Sequence, residues 1–267
     1  MSNPLGKNVP YGDSVDQTLL FPIERGPSRT RLNIREPLPF EGFDRWTAFE
    51  VSWLDAIGIP QVGIATISYP ASSSIIVESK SLKLFLGGFN FTKFAALADV
   101  EMAVGESLQK VLQCDGVQVS ILPPERWGEC ALTNPPGTCV DRTPIDSTQD
   151  FRLRVTDEVV EETIHSNLLR SLCPVTAQPD WGTVAIRYRG KKLVHASLVG
   201  YLLSHRSQQG YHEECCEMLF IDLMSILAPS QLWVGCFYTR RGGIDINPER
   251  WLPGTERPHG VGRLVRQ

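Results

Sequence analysis

Two stretches of the chain share one alternation of apolar and polar positions: Gly63-Ile-Ala-Thr-Ile67-Ser-Tyr69 and Gly182-Thr-Val-Ala-Ile186-Arg-Tyr188. Period two is the mark of a half-buried strand. Each is expected to turn into a second strand, the first through Pro70-Ala-Ser-Ser-Ser74 and the second through Arg189-Gly190-Lys191, with Gly at the bend. These second strands also align, Ser81-Leu82-Lys83-Leu84-Phe85-Leu86 with Ser197-Leu198-Val199-Gly200-Tyr201-Leu202. The period then changes to that of a helix. Phe94, Leu97, Val100, Val104, Leu108 and Val111 form one stripe and predict a helix over 92–112. Phe220, Leu223, Met224 and Leu227, with Met218 and Ile221 beside them, predict another over 213–227, stopped by Pro229. A further strand is predicted at 116–122 and at 232–238. Each half therefore reads strand, strand, helix, strand, which is an internal duplication.

Residues 122–149 separate the halves with Pro123, Pro124, Pro135, Pro136 and Pro144 and no sustained period. Residues 1–40 are also Pro-rich, and a segment 1–45 is expected to be extended over the surface or partly disordered. The expected division is thus 1–45, a first module 46–149 and a second module 150–267. At 42% hydrophobic and 21% charged residues the chain can bury a core, which excludes fibrous and wholly disordered classes. The 26 Lys and Arg against 30 Asp and Glu leave a net charge of -4, which argues against nucleic-acid binding through bulk positive charge. Asp222 interrupts the most apolar helical run, so no stretch reaches the roughly 18 residues of a membrane span. The start lacks the apolar core of a secretory signal, and seven cysteines, an odd number, read as reduced cytosolic thiols.

The halves differ in polar residues, and there the candidate chemistry lies. Glu78-Ser79-Lys80-Ser81-Leu82-Lys83-Leu84-Phe85 corresponds to Val194-His195-Ala196-Ser197-Leu198-Val199, where the glutamate and both lysines are gone. On a strand, Glu78, Lys80 and Leu82 share one side and Lys83 takes the other. Lysine on an edge strand guards against aggregation, which is the plainer account; two ammonium groups so close could also meet the phosphates of a nicotinamide dinucleotide phosphate. In the second half, a helix-like run leads through Cys173 to the strand beginning at Gly182. Pro174 and Pro179 keep Cys173 and Gln178 out of helical angles, so the thiol and Asp180 flank a stiff turn. A buried thiol with a turn-ending Asp is the plain reading; the chemical one is a Cys nucleophile with a carboxylic acid delivering a proton. A carboxylate disfavours a thiolate, so Asp180 suits a general acid better than an activator of Cys173.

Tyr211-His212-Glu213-Glu214-Cys215-Cys216 opens the second helix. His212 and Cys216 have helical spacing for zinc, but a site needs three or four ligands and neither C-x-x-C nor H-x-x-x-H accompanies them, so no metal is expected. Glu213 gains from the helix dipole, and a fixed carboxylate can also accept two N–H groups from a guanine-like edge. Tyr238 to Pro248 contains Arg240-Arg241-Gly242-Gly243, a solvated turn or an anion-binding loop. No G-x-G-x-x-G occurs, so a nicotinamide cofactor would bind outside a Rossmann domain.

Together these clusters resemble one family over nearly the whole chain: the QueF-type 7-cyano-7-deazaguanine reductases in their long, two-module form. Glu78 to Phe85 looks like the signature strand of that family, Cys173 and Asp180 match its catalytic pair, His212-Glu213 its substrate-binding pair, and Arg241-Gly242 its cofactor loop. The resemblance implies an α+β fold of two tandem tunnelling-fold (T-fold) modules, antiparallel sheets with helices on one face, in a cytoplasmic homodimer. It implies NADPH-dependent reduction of a nitrile to an amine for the tRNA nucleoside queuosine, through a thioimide on Cys173 with Asp180 as proton donor. The implied substrate contacts are Val77, Glu78, Ser79, His212 and Glu213; those to NADPH are Ser79, Lys80, Lys83, Arg241 and Gly242. The partner is a small deazaguanine, with no direct nucleic-acid contact and no membrane. A related GTP cyclohydrolase-type hydrolase, which would need zinc, and a non-catalytic purine-binding module are the alternatives.

Overall fold

The computed structural model describes residues 12–145, 151–255 and 261–267. In chain order the elements are β1 (Pro22–Glu24), α1 (Gly26–Arg31), β2 (Glu41–Leu54), β3 (Pro60–Pro70), β4 (Ile75–Val77), α2 (Ser79–Gly87), α3 (Leu97–Leu112) and β5 (Gln118–Leu122), then β6 (Leu132–Thr133) and β7 (Thr138–Cys139). The second half holds β8 (Val155–Leu172), β9 (Pro179–Leu193), α4 (His195–Ser204), α5 (His212–Leu227), β10 (Gln231–Tyr238), β11 (Ile244–Trp251) and β12 (Arg263–Leu264). They form two compact units, neither of them one continuous stretch. The first takes residues up to Pro27, Phe43–Cys130 and Arg240–Ile246; the second takes Ser28–Gly42, Ala131–Thr239 and Asn247–Gln267.

In the first unit β2 and β3 are an antiparallel hairpin and β5 pairs antiparallel with the outer side of β3. In the second, β8 and β9 are the hairpin and β10 pairs antiparallel with β9. Two helices lie between the hairpin and the last strand in each, so the repeated unit is strand, strand, helix, helix, strand. Both long first strands carry a bulge, between Ala48 and Val51 and between Ser166 and Leu169, and each strand ends three residues later. A bulge moves alternate side chains to the other face. Accordingly the buried positions run Asp44, Trp46, Ala48 and then Val51, Trp53, and in β8 Ile164, Ser166 and then Leu169, Ser171. This change of parity hides both strands from a search for unbroken alternation, and the run before Cys173 is strand rather than helix.

The supposed second strands are helices. In α2 the buried side chains are Ser81, Leu82, Phe85 and Leu86, a helical spacing. In α4 all of Ser197 to Leu202 are buried, and a short, uniformly apolar run is ambiguous by period. Gly190 makes no turn either, because β9 runs through it to Leu193. A Cβ there would come within 2.7 Å of the Leu227 carbonyl oxygen, so this glycine admits the end of α5. Helix α3 begins at Leu97 rather than at 92, with Val100, Val104 and Leu108 fully buried, while α5 follows its predicted span to within a residue.

The N-terminal segment is more ordered than its composition suggests. β1 pairs antiparallel with β4, Leu20 is buried, and the buried Arg25 is ion-paired with Asp44. Residues 28–42 belong to the second unit, where Arg29 reaches Glu217 of α5 at 2.8 Å. Residues 1–11 of the expected extended segment lie outside the described residues.

Candidate active site

The start of α2 is built on Glu78. This residue is 2% exposed, and its carboxylate caps the helix by accepting from the backbone N–H of Lys80 and of Ser81, both at 2.8 Å. The Ser79 hydroxyl donates to Glu78 Oε1 at 3.3 Å, and Val77 precedes it as the buried last residue of β4. The second unit repeats the frame without the carboxylate. Ser81 Oγ donates to the Glu78 carbonyl at 2.6 Å and accepts from Phe21 N at 3.0 Å. Ser197 Oγ likewise donates to the Val194 carbonyl at 2.7 Å and accepts from Arg154 N at 2.9 Å. Phe21 and Arg154 return the favour, accepting from Glu78 N and Val194 N, both at 2.9 Å. Since α4 forms with Val194 at its cap, the fold does not require a carboxylate at this point. Oε2 of Glu78 keeps a second lone pair beyond its contact with Ser81 N, while Oε1 accepts from both Lys80 N and the Ser79 hydroxyl.

Because α2 is a helix, Lys80 and Lys83 are neighbours at i, i+3 instead of lying on opposite sides. In the same unit Arg241-Gly242-Gly243 is a tight turn closed by Arg241 N–H donating to the Ile244 carbonyl at 2.9 Å. Gly242 has φ +57° and Gly243 φ +78°, left-handed values that favour glycine. A Cβ on Gly242 would stand 3.2 Å from Lys83 Cε, so that side chain lies over the bare backbone of the turn. Two ammonium groups and a positive-φ glycine turn suit a phosphate-bearing ligand.

The remaining candidates come together in the second unit. Cys173 begins the β8–β9 connection, with its N–H donating to the Gln178 carbonyl at 2.8 Å and its carbonyl accepting from Ala177 N at 3.0 Å. Asp180, the second residue of β9, is 4% exposed and stands opposite Ser171. His212 and Glu213 occupy the first turn of α5; Glu213 is 3% exposed, and His212 Nε2 lies 3.6 Å from Asp180 Oδ2. That distance is electrostatic contact rather than a hydrogen bond. The His212 ring also meets the Tyr238 ring, centroids 4.0 Å apart, a contact that the sequence reading did not anticipate.

Burial separates the thiols of this unit. Cys215, Cys216 and Cys236 are buried, whereas Cys173 is part-exposed and Cys139, on β7, is exposed. Burial, with smaller contributions from Glu214 and Asp180, pushes the Cys215 thiol up to about 12. Cys236 is also raised, first by its hydrogen bond with Cys216 and then by burial. Both stay protonated near neutral pH, and of the thiols in this unit Cys173 is the part-exposed one on the hairpin that also carries Asp180. Among the described residues, no group of three or more His, Cys, Asp and Glu side chains could hold a metal ion.

A family model described as nitrile reductase, 7-cyano-7-deazaguanine-reductase N-term, matches residues 11–121, and one described as QueF-like protein matches residues 179–253. The NADPH-dependent 7-cyano-7-deazaguanine reductase of Desulfotalea psychrophila is 42% identical, covering 99% of this chain and 97% of that one. The protein of the same name from Chromohalobacter salexigens is 45% identical, covering 99% and 96%.

Proposed function

The chain belongs to the family of NADPH-dependent 7-cyano-7-deazaguanine reductases, and from that premise we propose that it reduces the nitrile of 7-cyano-7-deazaguanine to the amine of 7-aminomethyl-7-deazaguanine, a step in making queuosine. The observation that carries the reading is an accessible thiol on a hairpin whose return strand holds a buried carboxyl, beside a helix start that presents His212 and Glu213.

A nitrile carbon is a weak electrophile. The Cys173 sulfur adds to it, the nitrogen takes a proton from Asp180 and the proton leaving the thiol passes to His212, so that a thioimide is bound to Cys173. NADPH supplies a hydride at each of two reductions, one molecule per hydride. Between them the C–S bond breaks, the electron pair returns to Cys173 and the substrate carries a C=N bond to the second reduction. His212, close to Asp180, is placed to return the proton that Asp180 gives up. In the second unit Glu213 accepts N–H groups of the guanine-like edge; in the first, Val77, Glu78 and Ser79 are assigned to the substrate and Ser79, Lys80, Lys83, Arg241 and Gly242 to the cofactor. The same reading makes the architecture two tandem T-fold modules with helices on one face. It makes the protein a homodimer of the cytoplasm, where seven free thiols stay reduced.

Following NADPH absorbance with and without 7-cyano-7-deazaguanine tests the proposal. Oxidation of two NADPH per nitrile, dependent on the nitrile, is the expected result. Stoichiometric zinc with no NADPH oxidation would replace it with a hydrolase.

A further inference from the structure

Trp181 is 40% exposed, although it directly follows the buried Asp180. Neighbours on a strand point to opposite faces, so the indole lies on the face turned away from Asp180 and is no part of the core beneath it. Two guanidinium groups lie on it instead: Arg170, its partner across the β8–β9 ladder, at 5.0 Å from the ring, and Arg206, from the turn His205–Ser207, at 6.0 Å. Arg170 Nη1 also donates to the Arg206 carbonyl. Neither arginine has a carboxylate partner among the described residues, which leaves the indole face as the group that meets both cations.

Two chain segments that must keep a fixed separation meet here. One is the β8–β9 hairpin with Cys173 and Asp180. The other is the stretch after Arg206 that leads into His212 and Glu213. Their backbones are joined at one residue of β8, where Leu172 N–H donates to the Gln208 carbonyl at 2.8 Å and the Leu172 carbonyl accepts from Gly210 N at 3.1 Å. We propose that Trp181, Arg170 and Arg206 form a clasp that locks this junction and so sets the nucleophile and proton donor against the substrate-holding turn. They are positioning residues, and their role in turnover rests on the reading of the reaction given above. A misplacement of about 1 Å between reacting groups can cost on the order of 100-fold in rate, so a surface contact can govern the chemical step.

The test measures adduct formation on Cys173 after mixing with the nitrile without NADPH, which separates the clasp from cofactor binding. Trp181→Leu and Arg206→Ala should slow it by on the order of 10-fold to 100-fold. Nitrile affinity, measured with each change combined with Cys173→Ala, should move far less. Trp181→Phe, which keeps an aromatic face, should recover most of the rate. Hydrogen exchange should quicken at the Leu172 and Gly210 amides of Trp181→Leu while β10 keeps its protection. Adduct formation at the wild-type rate in Trp181→Leu, or Phe serving no better than Leu, would overturn the clasp. So would an unchanged adduct rate with a raised KM for NADPH, which would make the arginines a phosphate site. If the wild type formed no adduct, the proposed reaction would fall, and unchanged exchange at Leu172 and Gly210 would be needed to reject the clasp as well.

Discussion

Cys173 is a part-exposed thiol on the hairpin that also carries Asp180, whereas Cys215, Cys216 and Cys236 are buried and Cys139 is exposed on β7. Cys173→Ala should abolish turnover and remove the one-substrate mass increase seen by intact-protein mass spectrometry after mixing with nitrile alone. Asp180→Asn should still form the adduct, but slowly, with a loss on the order of 10²-fold to 10⁴-fold, since general acid catalysis typically contributes that much. Rapid mixing that shows wild-type rates in Asp180→Asn would make Asp180 a residue of the turn only. Cys215 leads to a second prediction. Burial pushes its thiol up to about 12, against about 8.5 for an unperturbed cysteine, so over the pH range between them the folded state keeps a proton that the unfolded state has lost. The stabilisation is complete below about pH 8.5 and disappears as pH rises toward 12. The urea midpoint should therefore fall between pH 8 and pH 10, and less steeply in Cys215→Ala.

At the level of elements, the decisive change is from strand to helix at 79–87. On a strand Lys83 would be the doubtful member of the pair; on α2 it shares a side with Lys80 and lies against Gly242. Lys80→Ala and Lys83→Ala should both raise the Michaelis constant for NADPH more than that for the nitrile. Lys83 should matter at least as much as Lys80. Wild-type enzyme that used NADH and NADPH equally well would argue against a phosphate role for either residue. The two bulges act on the same scale. Each changes the buried parity of a long strand just before its hairpin end, and in β8 this places Leu169 and Ser171 inward, three and five residues after the buried Ser166.

In the second unit, the stretch Ser28–Gly42 is held on α5 by a buried ionic group. Glu217 Oε1 accepts from Arg29 Nη2 at 2.8 Å and from Arg250 Nη2 at 2.9 Å. Both guanidinium groups also lie near the Phe40 ring, which meets Phe220 edge-on. Removing one member of a buried pair costs about 3 to 5 kcal/mol, because a charge is left without compensation. Glu217→Ala leaves two such cations and should lower the urea midpoint most. Arg29→Met leaves Glu217 with Arg250 and should cost less, and a reversed order would show that the group is not the anchor.

The repeated pattern, the strands β3, β5, β9 and β10 and the amphipathic helices α3 and α5 were legible in the chain alone. Period and residue type are local properties, and these segments carry them without interruption. Family resemblance rested on local clusters for the same reason. That α2 and α4 are helices was not legible there, because Leu82-Lys83-Leu84-Phe85-Leu86 and the run Ser197 to Leu202 fit either state until a cap and a packing partner are supplied. The tertiary structure also decided the paths of β2 and β8, whose bulges break their own alternation, and the use of Gly190, which serves a close approach rather than a turn. Nothing in the spacing of Arg170, Trp181 and Arg206 brings them together, since cross-strand register and the return of the chain after α4 are long-range facts. The same holds for Cys173 against its sister thiols: cysteine is one letter in the sequence, and its reactivity is set by what the fold buries around it.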